Sequence, residues 1–151
     1  MPAPAVSYRP HVGVHLILAE GRKVLLLRRA NTGFADGCWS VPGGSLEYGE
    51  TLPQAAAREA LEEVGVTIDP ADLSFALLCH HTDPDGLARV GVFFTARRWA
   101  GEPVNAEPHK CSEIAWHDRD ELPGDIVSYI RTGLDAHDHG TAFTLDGWAQ
   151  A

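Results

Sequence analysis

Short apolar runs with the length of β-strands make up most of the hydrophobic pattern of this chain. Residues 12–19 (VGVHLILA) and 23–29 (KVLLLRR) are two such runs, and the turn between them predicts a hairpin. Further strands are predicted at residues 38–41, 73–81, 88–99 and 114–117. Residues 31–37 (NTGFADG) and 83–86 (DPDG) are dense in turn residues and predict loops, and Pro42-Gly43-Gly44 is expected to end the strand before it.

Two stretches have the apolar spacing of helices. The first begins after Thr51, where Gln54 three residues later completes a capping box, and Gly65 is its natural stop. Its predicted apolar stripe is Leu52, Ala56, Ala60 and Val64, with Ala57 and Leu61 beside it. The second helix is predicted over residues 126–136, with Ile126, Tyr129, Ile130 and Leu134 on one face.

Strands before and after a helix, without repeats or a linker, predict an α/β fold. We expect one domain over residues 1–151. Residues 1–10 are rich in proline and alanine and are expected to be a loose lead-in. Residues 137–151 are expected to be a C-terminal tail.

Acidic residues outnumber basic ones by 21 to 12, which gives a net charge of −9. This balance argues against stable nucleic-acid binding and against binding to anionic membranes, because both require a basic surface. The charge is uneven: residues 1–43 carry a net +3, whereas residues 44–66 hold five acids and one base. The densest acidic cluster therefore coincides with the first predicted helix.

The cysteines and the apolar runs predict a cytoplasmic protein. Cys38, Cys79 and Cys111 are an odd number and widely spaced, which favours a reducing compartment over a disulfide framework or a zinc site. The N-terminus has no signal-peptide pattern, and no apolar run approaches the roughly 20 residues of a membrane span.

Three glutamates share one face of the first helix. Glu59, Glu62 and Glu63 stand at positions i, i+3 and i+4, where like charges repel. One interpretation is a solvated acidic face, and the other is a site for a hard divalent cation such as Mg²⁺, which prefers oxygen ligands. Arg58 is the only base nearby and can hold a carboxylate by bidentate pairing.

This segment resembles the Nudix box, GX5EX7REUXEEXGU with U an aliphatic residue, at every specified position. The matching residues are Gly44, Glu50, Arg58, Glu59, Ala60, Glu62, Glu63, Gly65 and Val66. The order of the predicted strands and helices is also similar to that of a Nudix domain. The resemblance implies an α/β/α sandwich around a mixed β-sheet, with the box as a loop, a helix and a second loop.

The resemblance also implies a metal-dependent hydrolase that cleaves the pyrophosphate linkage of a nucleoside diphosphate derivative. It implies Mg²⁺ or Mn²⁺ as the cofactor and Glu59, Glu62 and Glu63 as its ligands. Glu59 is the first candidate for the base that activates water, Arg58 is implied to orient the carboxylates, and Glu50 is implied as a partner of Arg58 or an outer ligand. Gly44 and Gly65 are the supporting glycines of the box.

Substrate recognition is expected outside the box. Residues 105–116 resemble a stretch of MutT-like members that hydrolyse nucleoside triphosphates, which favours cleavage of a (d)NTP to a (d)NMP and pyrophosphate. Glu107 or Glu113 is either a further ligand or a loop acid. Arg28 and Arg29 are candidates for phosphate contacts. The aromatic candidates for base stacking are Phe34, Trp39, Tyr48 and Trp116, with core or rim packing as the alternative.

Other assignments remain open at this stage. His80 and His81 are adjacent on a strand, so they point to opposite faces and form a poor chelating pair, and His137 and His139 are assigned to the tail. The alternative substrates are ADP-ribose, another nucleotide sugar or a dinucleotide. More distant alternatives are an isomerase and a module that binds a nucleotide without cleaving it. The expected partner is a small nucleotide, and the sequence leaves homodimer formation open.

Overall fold

The computed structural model describes residue 1 and residues 5–149. Within these residues the strands are β1 (His11–Glu20), β2 (Lys23–Arg29), β3 (Trp39–Ser40), β4 (Gly43–Ser45), β5 (Leu73–Thr82), β6 (Ala88–Ala96), β7 (Cys111–Asp118) and β8 (Phe143–Asp146). The helices are α1 (Leu52–Val64) and α2 (Ser128–Asp138), and a short 3-10 helix covers Pro70–Asp72. Neither α-helix of this described part has both the length and the apolar composition needed to cross a bilayer.

The strands form one mixed sheet in the order β3-β2-β1-β6-β5-β8, with β4 added to β1 and β7 to β2. The pairs β1–β6 and β5–β8 are parallel, and the others are antiparallel. β1 pairs with β2 only at its carboxyl end, where Ala19 lies opposite Val24, whereas Val14 lies opposite Gly44 of β4. The sheet therefore splits between β1 and β2, and residues of both strands line the cavity described below.

The helices cover opposite faces of this sheet. Strand alternation places Val14, Leu16 and Leu18 in the core layer that α1 closes, and places Ile17 in the layer that α2 closes. These two layers confirm the predicted α/β fold with helices on both faces of a mixed sheet.

Helix α1 begins and ends where its sequence predicts. The Thr51 hydroxyl accepts a hydrogen bond from the Gln54 amide (3.3 Å), and the Gln54 side chain accepts one from the Thr51 amide (2.9 Å). Gly65 ends the helix in the left-handed conformation (φ 70°), which costs glycine little. The predicted apolar stripe of Leu52, Ala56, Ala60 and Val64 packs into the core, whereas Leu61, predicted to lie beside that stripe, is 54% exposed. The buried face of the helix also includes Glu59.

Several element boundaries differ from the prediction. Gly43 and Gly44 do not merely end a strand, because they form β4 and pair with β1. Helix α2 covers Ser128–Asp138 rather than residues 126–136, so His137 lies in its last turn. Strand β7 begins at Cys111, three residues earlier than predicted. The 73–81 and 88–99 predictions correspond to β5 and to the shorter β6.

The C-terminal segment that was expected to be a tail contains β8, which pairs in parallel with β5. Asp146 at its end accepts hydrogen bonds from the hydroxyls of Ser128 (3.0 Å) and Thr132 (2.6 Å) on α2. The Trp148 indole donates to the carbonyl of His80 (2.9 Å). A strand of four residues is too short to show a clear alternation of apolar and polar residues, and its partners are distant in the sequence. The sequence pattern therefore does not predict β8.

Candidate active site

The carboxylate of Glu59 lies beneath β4 because Gly44 has no side chain. A Cβ atom at Gly44 would lie 2.5 Å from Glu59 Cδ and 2.8 Å from Oε2, and closer still to Oε1. Glu59 is 9% exposed, so the carboxylate occupies the space that any other residue at position 44 would fill. The neighbouring Gly43 amide donates a hydrogen bond to Glu63 Oε2 (2.9 Å). The two glycines thus fix two glutamates one helical turn apart.

Arg58 binds several of the surrounding acceptors at once. Its guanidinium pairs with both oxygens of Glu50, from Nε (3.0 Å) and from a terminal nitrogen (2.8 Å). The other terminal nitrogen donates to Glu59 Oε1 (2.8 Å) and, at 3.3 Å, to Glu62 Oε2. A further bond reaches the Ser45 carbonyl (3.1 Å). Planar, bidentate pairing of this kind fixes direction as well as charge, so Arg58 orients the acidic side chains around it.

The network around Arg58 borders one open cavity of about 650 Å³. On the helix side it is lined by Arg58, Glu59, Glu62 and Glu63, and Glu107 faces them from the loop before β7. The structure therefore brings together the three box glutamates and Glu107. Gly65 closes α1, and Glu50 lies behind Arg58.

Burial and mutual repulsion disfavour the charged forms of two of these acids. Burial raises the pKa of Glu63 well above its ordinary value, and the charges of Glu59 and Glu107 raise it further, against the hydrogen bond from Gly43. Burial also raises the pKa of Glu59, against the effect of Arg58. Conversely, the hydrogen bonds from Arg58 lower the pKa of Glu50 and raise the pKa of Arg58 itself. The helix α1 side of the cavity therefore holds more carboxylates than Arg58 alone can neutralise.

The donor chemistry of this cavity fits a hard divalent cation. Within residues 1 and 5–149, no group of three or more His, Cys, Asp or Glu side chains lies close enough together to hold a metal ion by itself. The acidic side chains that line the cavity offer carboxylate oxygens as metal ligands. A cation bound among them would relieve the repulsion that helps to raise the pKa values of Glu59 and Glu63. Mg²⁺ commonly binds through a few carboxylates and completes its shell with water and substrate phosphate, so an open half-cage suits it.

The predicted substrate residues divide into those in the cavity and those outside it. Phe34 and Arg29 line it, with the Arg29 guanidinium 5.4 Å from the Phe34 ring centroid. Arg28 points away, donates to the Gly37 carbonyl (3.0 Å) and lies near Glu113 and Asp125. Trp39 is 6% exposed and packs in the core layer under α2. The structure therefore does not bring Arg28 or Trp39 to the cavity.

The remaining acidic and aromatic candidates also lie outside the cavity. Glu113 is on β7 beside Arg28, Trp116 packs against the core layer of α1 near Trp99, and Tyr48 is fully exposed. Adjacent residues of a strand point to opposite faces of the sheet. Only one of Arg28 and Arg29 can therefore reach the cavity, and it is Arg29.

Several residues that line the cavity were not predicted as site residues, among them three whose rings pack together. His15 on β1, His81 on β5 and Tyr129 on α2 line the same cavity as the glutamates. His81 stacks on Tyr129 with ring centroids 3.9 Å apart, whereas its neighbour His80 faces the other way and lies against Trp148. A histidine inside the otherwise apolar run of residues 12–19 is the signal in the sequence that could have drawn attention to His15.

Comparison with known proteins shows which family shares this fold and its acidic helix. The model of the NUDIX domain family matches residues 7–135. An 8-oxo-dGTP diphosphatase of Escherichia coli is 32% identical over 114 residues, which cover 74% of this chain and 86% of that protein. An ADP-ribose pyrophosphatase of Methanocaldococcus jannaschii is 44% identical over 114 residues, covering 76% of this chain but only 65% of the archaeal protein.

A solved structure agrees with these sequence matches. The crystal structure of a MutT NUDIX hydrolase from Burkholderia pseudomallei superimposes with a TM-score of 0.78 at 27% identity, over 85% of this chain and 98% of that one. The family match covers most of the chain and contains every glutamate of the box. The chain therefore belongs to the Nudix hydrolase family.

Proposed function

We propose that this protein hydrolyses a nucleoside triphosphate to a nucleoside monophosphate and pyrophosphate, with Mg²⁺ or Mn²⁺ as its cofactor. The observation that carries the proposal is the cavity that Glu59, Glu62, Glu63 and Glu107 line together, where burial and repulsion between carboxylates raise the pKa values of Glu59 and Glu63. Such a site favours a cation together with a polyanionic substrate. The similarity to the E. coli 8-oxo-dGTP diphosphatase favours a triphosphate as that substrate.

The metal ligands in this proposal are Glu59, Glu62 and Glu63. A bound divalent cation would neutralise the phosphate charge, stabilise the charge that develops at phosphorus and lower the pKa of water. Arg58 holds Glu59 and Glu62 in orientation through its hydrogen bonds, and Glu50 fixes Arg58 in turn. Most of the catalytic effect then comes from positioning and preorganised charge.

Water attacks a phosphorus atom, the bond from that phosphorus to the bridging oxygen breaks, and pyrophosphate leaves. Glu59 is the proposed base for the proton of the attacking water, because burial raises the pKa of its carboxyl and one oxygen remains free of Arg58. A base whose pKa lies closer to the working pH accepts a proton more effectively.

The other side of the cavity supplies the direct attraction for phosphate. Arg29 and Lys110 line the cavity, and Lys110 Nζ lies 3.8 Å from Glu107. Arg29 already donates to the Phe34 carbonyl (2.8 Å) and to the Thr32 hydroxyl (3.0 Å), which holds its guanidinium in place. We propose that these two cations contact the phosphates that the metal does not reach.

A nucleotide panel tests this proposal. The protein is incubated with Mg²⁺, a range of (d)NTPs and isotope-labelled water, and the products show which bond breaks and which phosphorus gains the label. Glu62→Gln and Glu63→Gln should each lose most turnover while keeping the fold. A second readout is the rise in Tm that Mg²⁺ causes in the wild type, which both variants should lose. Near-wild-type hydrolysis in either variant would refute the ligand assignment.

The second candidate substrate class is ADP-ribose or another nucleotide sugar. The specific observation in its favour is the 44% identity to the archaeal ADP-ribose pyrophosphatase, the higher of the two identities given above. The same panel separates the candidates, because ADP-ribose yields AMP and ribose 5-phosphate without pyrophosphate. Nucleotide binding without any turnover in the presence of metal would instead indicate a sensing module.

A further inference from the structure

The end of the cavity away from helix α1 is built from rings rather than carboxylates. His15, His81 and Tyr129 line it, and we call these three residues the ring cluster. His15 lies edge-on to Tyr129 with centroids 5.2 Å apart, and Tyr129 stacks on His81. His15 and His81 are only 7% and 3% exposed. The cluster joins β1, β5 and α2, which are distant in the sequence.

Glycines make room for the ring of His15. A Cβ atom at Gly13 would lie 3.3 Å from His15 Nε2, and one at Gly91 would lie 3.2 Å from Cδ2. A Cβ atom at Gly43 would lie 2.9 Å from Nδ1. Phe93 closes the far side at a centroid distance of 4.9 Å. The imidazole therefore occupies space that these glycines leave open, since a Cβ atom at Gly43 would clash with its ring and Cβ atoms at Gly13 and Gly91 would be tight against it.

The polar atoms of the ring cluster have no partner in the described part of the chain. None of the ring nitrogens of His15 and His81, nor the Tyr129 hydroxyl, is found in a hydrogen bond to the described residues, and none is among the fully enclosed unpaired atoms. These atoms therefore border the cavity. Buried polar side chains are normally hydrogen-bonded, and a phenylalanine or leucine would fill the same space without an unpaired group.

The ring cluster is also uncharged at neutral pH. Burial lowers the pKa of His15 to about 3 and lowers that of His81, and it raises the pKa of Tyr129 to about 12. Of the charged residues that line the cavity, Arg89 is paired, since it donates to Asp83 (3.0 Å). A neutral imidazole offers one donor and one acceptor, so the cluster presents both kinds of group without a charge of its own.

From this geometry we infer that the ring cluster recognises the nucleobase of the substrate, an uncharged planar heterocycle with donors and acceptors along its edge. The identity of the occupant rests on the proposed function, which requires a nucleotide. Proteins commonly read an extruded or free base through hydrogen bonds to its edge and packing against flat side chains. His15, His81 and Tyr129 are therefore the residues that determine which base is accepted.

The position of Gly43 supports this division of the cavity. Its amide donates to Glu63 Oε2, and a Cβ atom added to it would lie 2.9 Å from His15 Nδ1. One residue thus separates the ring cluster from the carboxylates, so a nucleotide with its base at the cluster can direct its phosphates towards α1, Arg29 and Lys110.

A binding experiment without phosphate or metal tests the inference independently of catalysis. EDTA-treated wild-type protein is titrated with adenosine, guanosine, cytidine and uridine while the imidazole signals of its histidines are followed by NMR. We expect at least one nucleoside to shift the signals of His15 and His81 and to leave those of His137 and His139 in place. The inference is overturned if every nucleoside leaves the His15 and His81 signals unchanged.

Variants connect this binding to substrate choice. His81→Phe keeps a flat ring and removes its nitrogens, and Tyr129→Phe removes only the hydroxyl. Each should raise KM for the preferred nucleotide about tenfold, the usual effect of a lost hydrogen bond to a buried group, with kcat little changed. His80→Phe is the matched control, since His80 faces Trp148 instead of the cavity, and it should leave KM unchanged.

A base-free ligand separates the two proposals. Inhibition by inorganic triphosphate should be the same in the wild type, His81→Phe and Tyr129→Phe. Equal loss of triphosphate and nucleotide binding would contradict base recognition by the ring cluster. If nucleosides bind at His15 and His81 but no nucleotide is hydrolysed, the proposed function fails and the inference stands. If nucleotides are hydrolysed and both phenylalanine variants keep the wild-type KM, the inference fails and the proposed function stands.

Discussion

Replacing Gly44 with alanine adds one methyl group at the position of the Glu59 carboxylate. The added Cβ atom would lie 2.5 Å from Cδ and 2.8 Å from Oε2, distances at which one group must move. The backbone of Gly44 is not in the left-handed region, so alanine can adopt its conformation and the effect is purely steric. Because Gly44 is paired with Val14 in the sheet, the glutamate side chain moves rather than the strand.

Displacement of Glu59 should affect both stability and turnover. Overpacking of this kind costs about 1–3 kcal/mol. Loss of the hydrogen bond from Arg58 to Oε1 (2.8 Å) adds to this cost, but the carboxylate regains water as it moves towards the cavity. At about 2–4 °C per kcal/mol for a domain of this size, we expect Tm to fall by roughly 5 °C. A shift of about 1 Å in a catalytic group lowers kcat by about 100-fold.

The assays are thermal unfolding and kcat/KM on the preferred nucleotide with Mg²⁺. Gly124→Ala makes the same chemical change at an exposed glycine with no atom within 4 Å, and it should change neither quantity. In a Glu59→Ala background the clash is absent, so adding Gly44→Ala should cost little further stability. Wild-type turnover in Gly44→Ala, or an equal loss of Tm with and without Glu59, would refute the steric explanation.

Three further predictions concern the charges of the site and the C-terminal strand. Because the pKa of Glu63 is raised in the folded protein, metal-free wild type should lose the stability contributed by this group as the pH rises above about 4.5, and Glu63→Gln should show a smaller loss over the same rise in thermal unfolding. Arg58→Lys cannot pair bidentately with Glu50, so kcat/KM should fall about tenfold or more. Asp146→Ala loses the bond from Thr132 and should lower stability by about 1–2 kcal/mol in denaturant unfolding, with unchanged turnover.

Two of these predictions have a matched control variant, and the third has a second variant that tests the same hydrogen bond. Glu121→Gln changes an exposed acid and should leave the pH dependence of Tm at the wild-type value. Arg98→Lys changes an exposed arginine that lies 3.8 Å from Asp72, and its kcat/KM should not change. Thr132→Val removes the hydroxyl that Asp146 accepts from, so a Thr132→Val variant as stable as the wild type would contradict the role assigned to β8.

The residues of helix α1 could be predicted from the sequence because the signals that define them are local. Thr51, Gln54 and Gly65 set its ends through contacts within four residues, and the spacing of its glutamates places them on one face. The burial of each side chain of α1 could not be predicted in this way, because it depends on what packs against the helix. Leu61 faces solvent and Glu59 faces the sheet, because Gly44 leaves space for a carboxylate there.

Predictions were less successful where they depended on which face of the sheet a side chain points to, or on contacts between elements distant in the sequence. Arg28 and Arg29 are adjacent, and only the pairing of β2 with β3 and β7 decides which of them faces the cavity. The aromatic ring of Trp39 is in the core because β3 is buried beside α2. The ring cluster joins three elements that the sequence keeps far apart, so no spacing rule could have indicated it.

The glycine pair Gly43-Gly44 explains why two chemically different half-sites can share one cavity. A side chain at Gly44 would displace Glu59, and one at Gly43 would collide with the ring of His15 and with the carbonyl of Val14. Two bare residues on β4 therefore admit a carboxylate on one side and an imidazole on the other, within one strand pair of β1. The two glycines that the sequence predicts to end a strand therefore form the wall between the proposed catalytic and base-binding half-sites. Substitution at Gly44 should impair the carboxylate half-site before it impairs the fold, because the clash is with the Glu59 side chain, whereas a side chain at Gly43 would also clash with the backbone carbonyl of Val14.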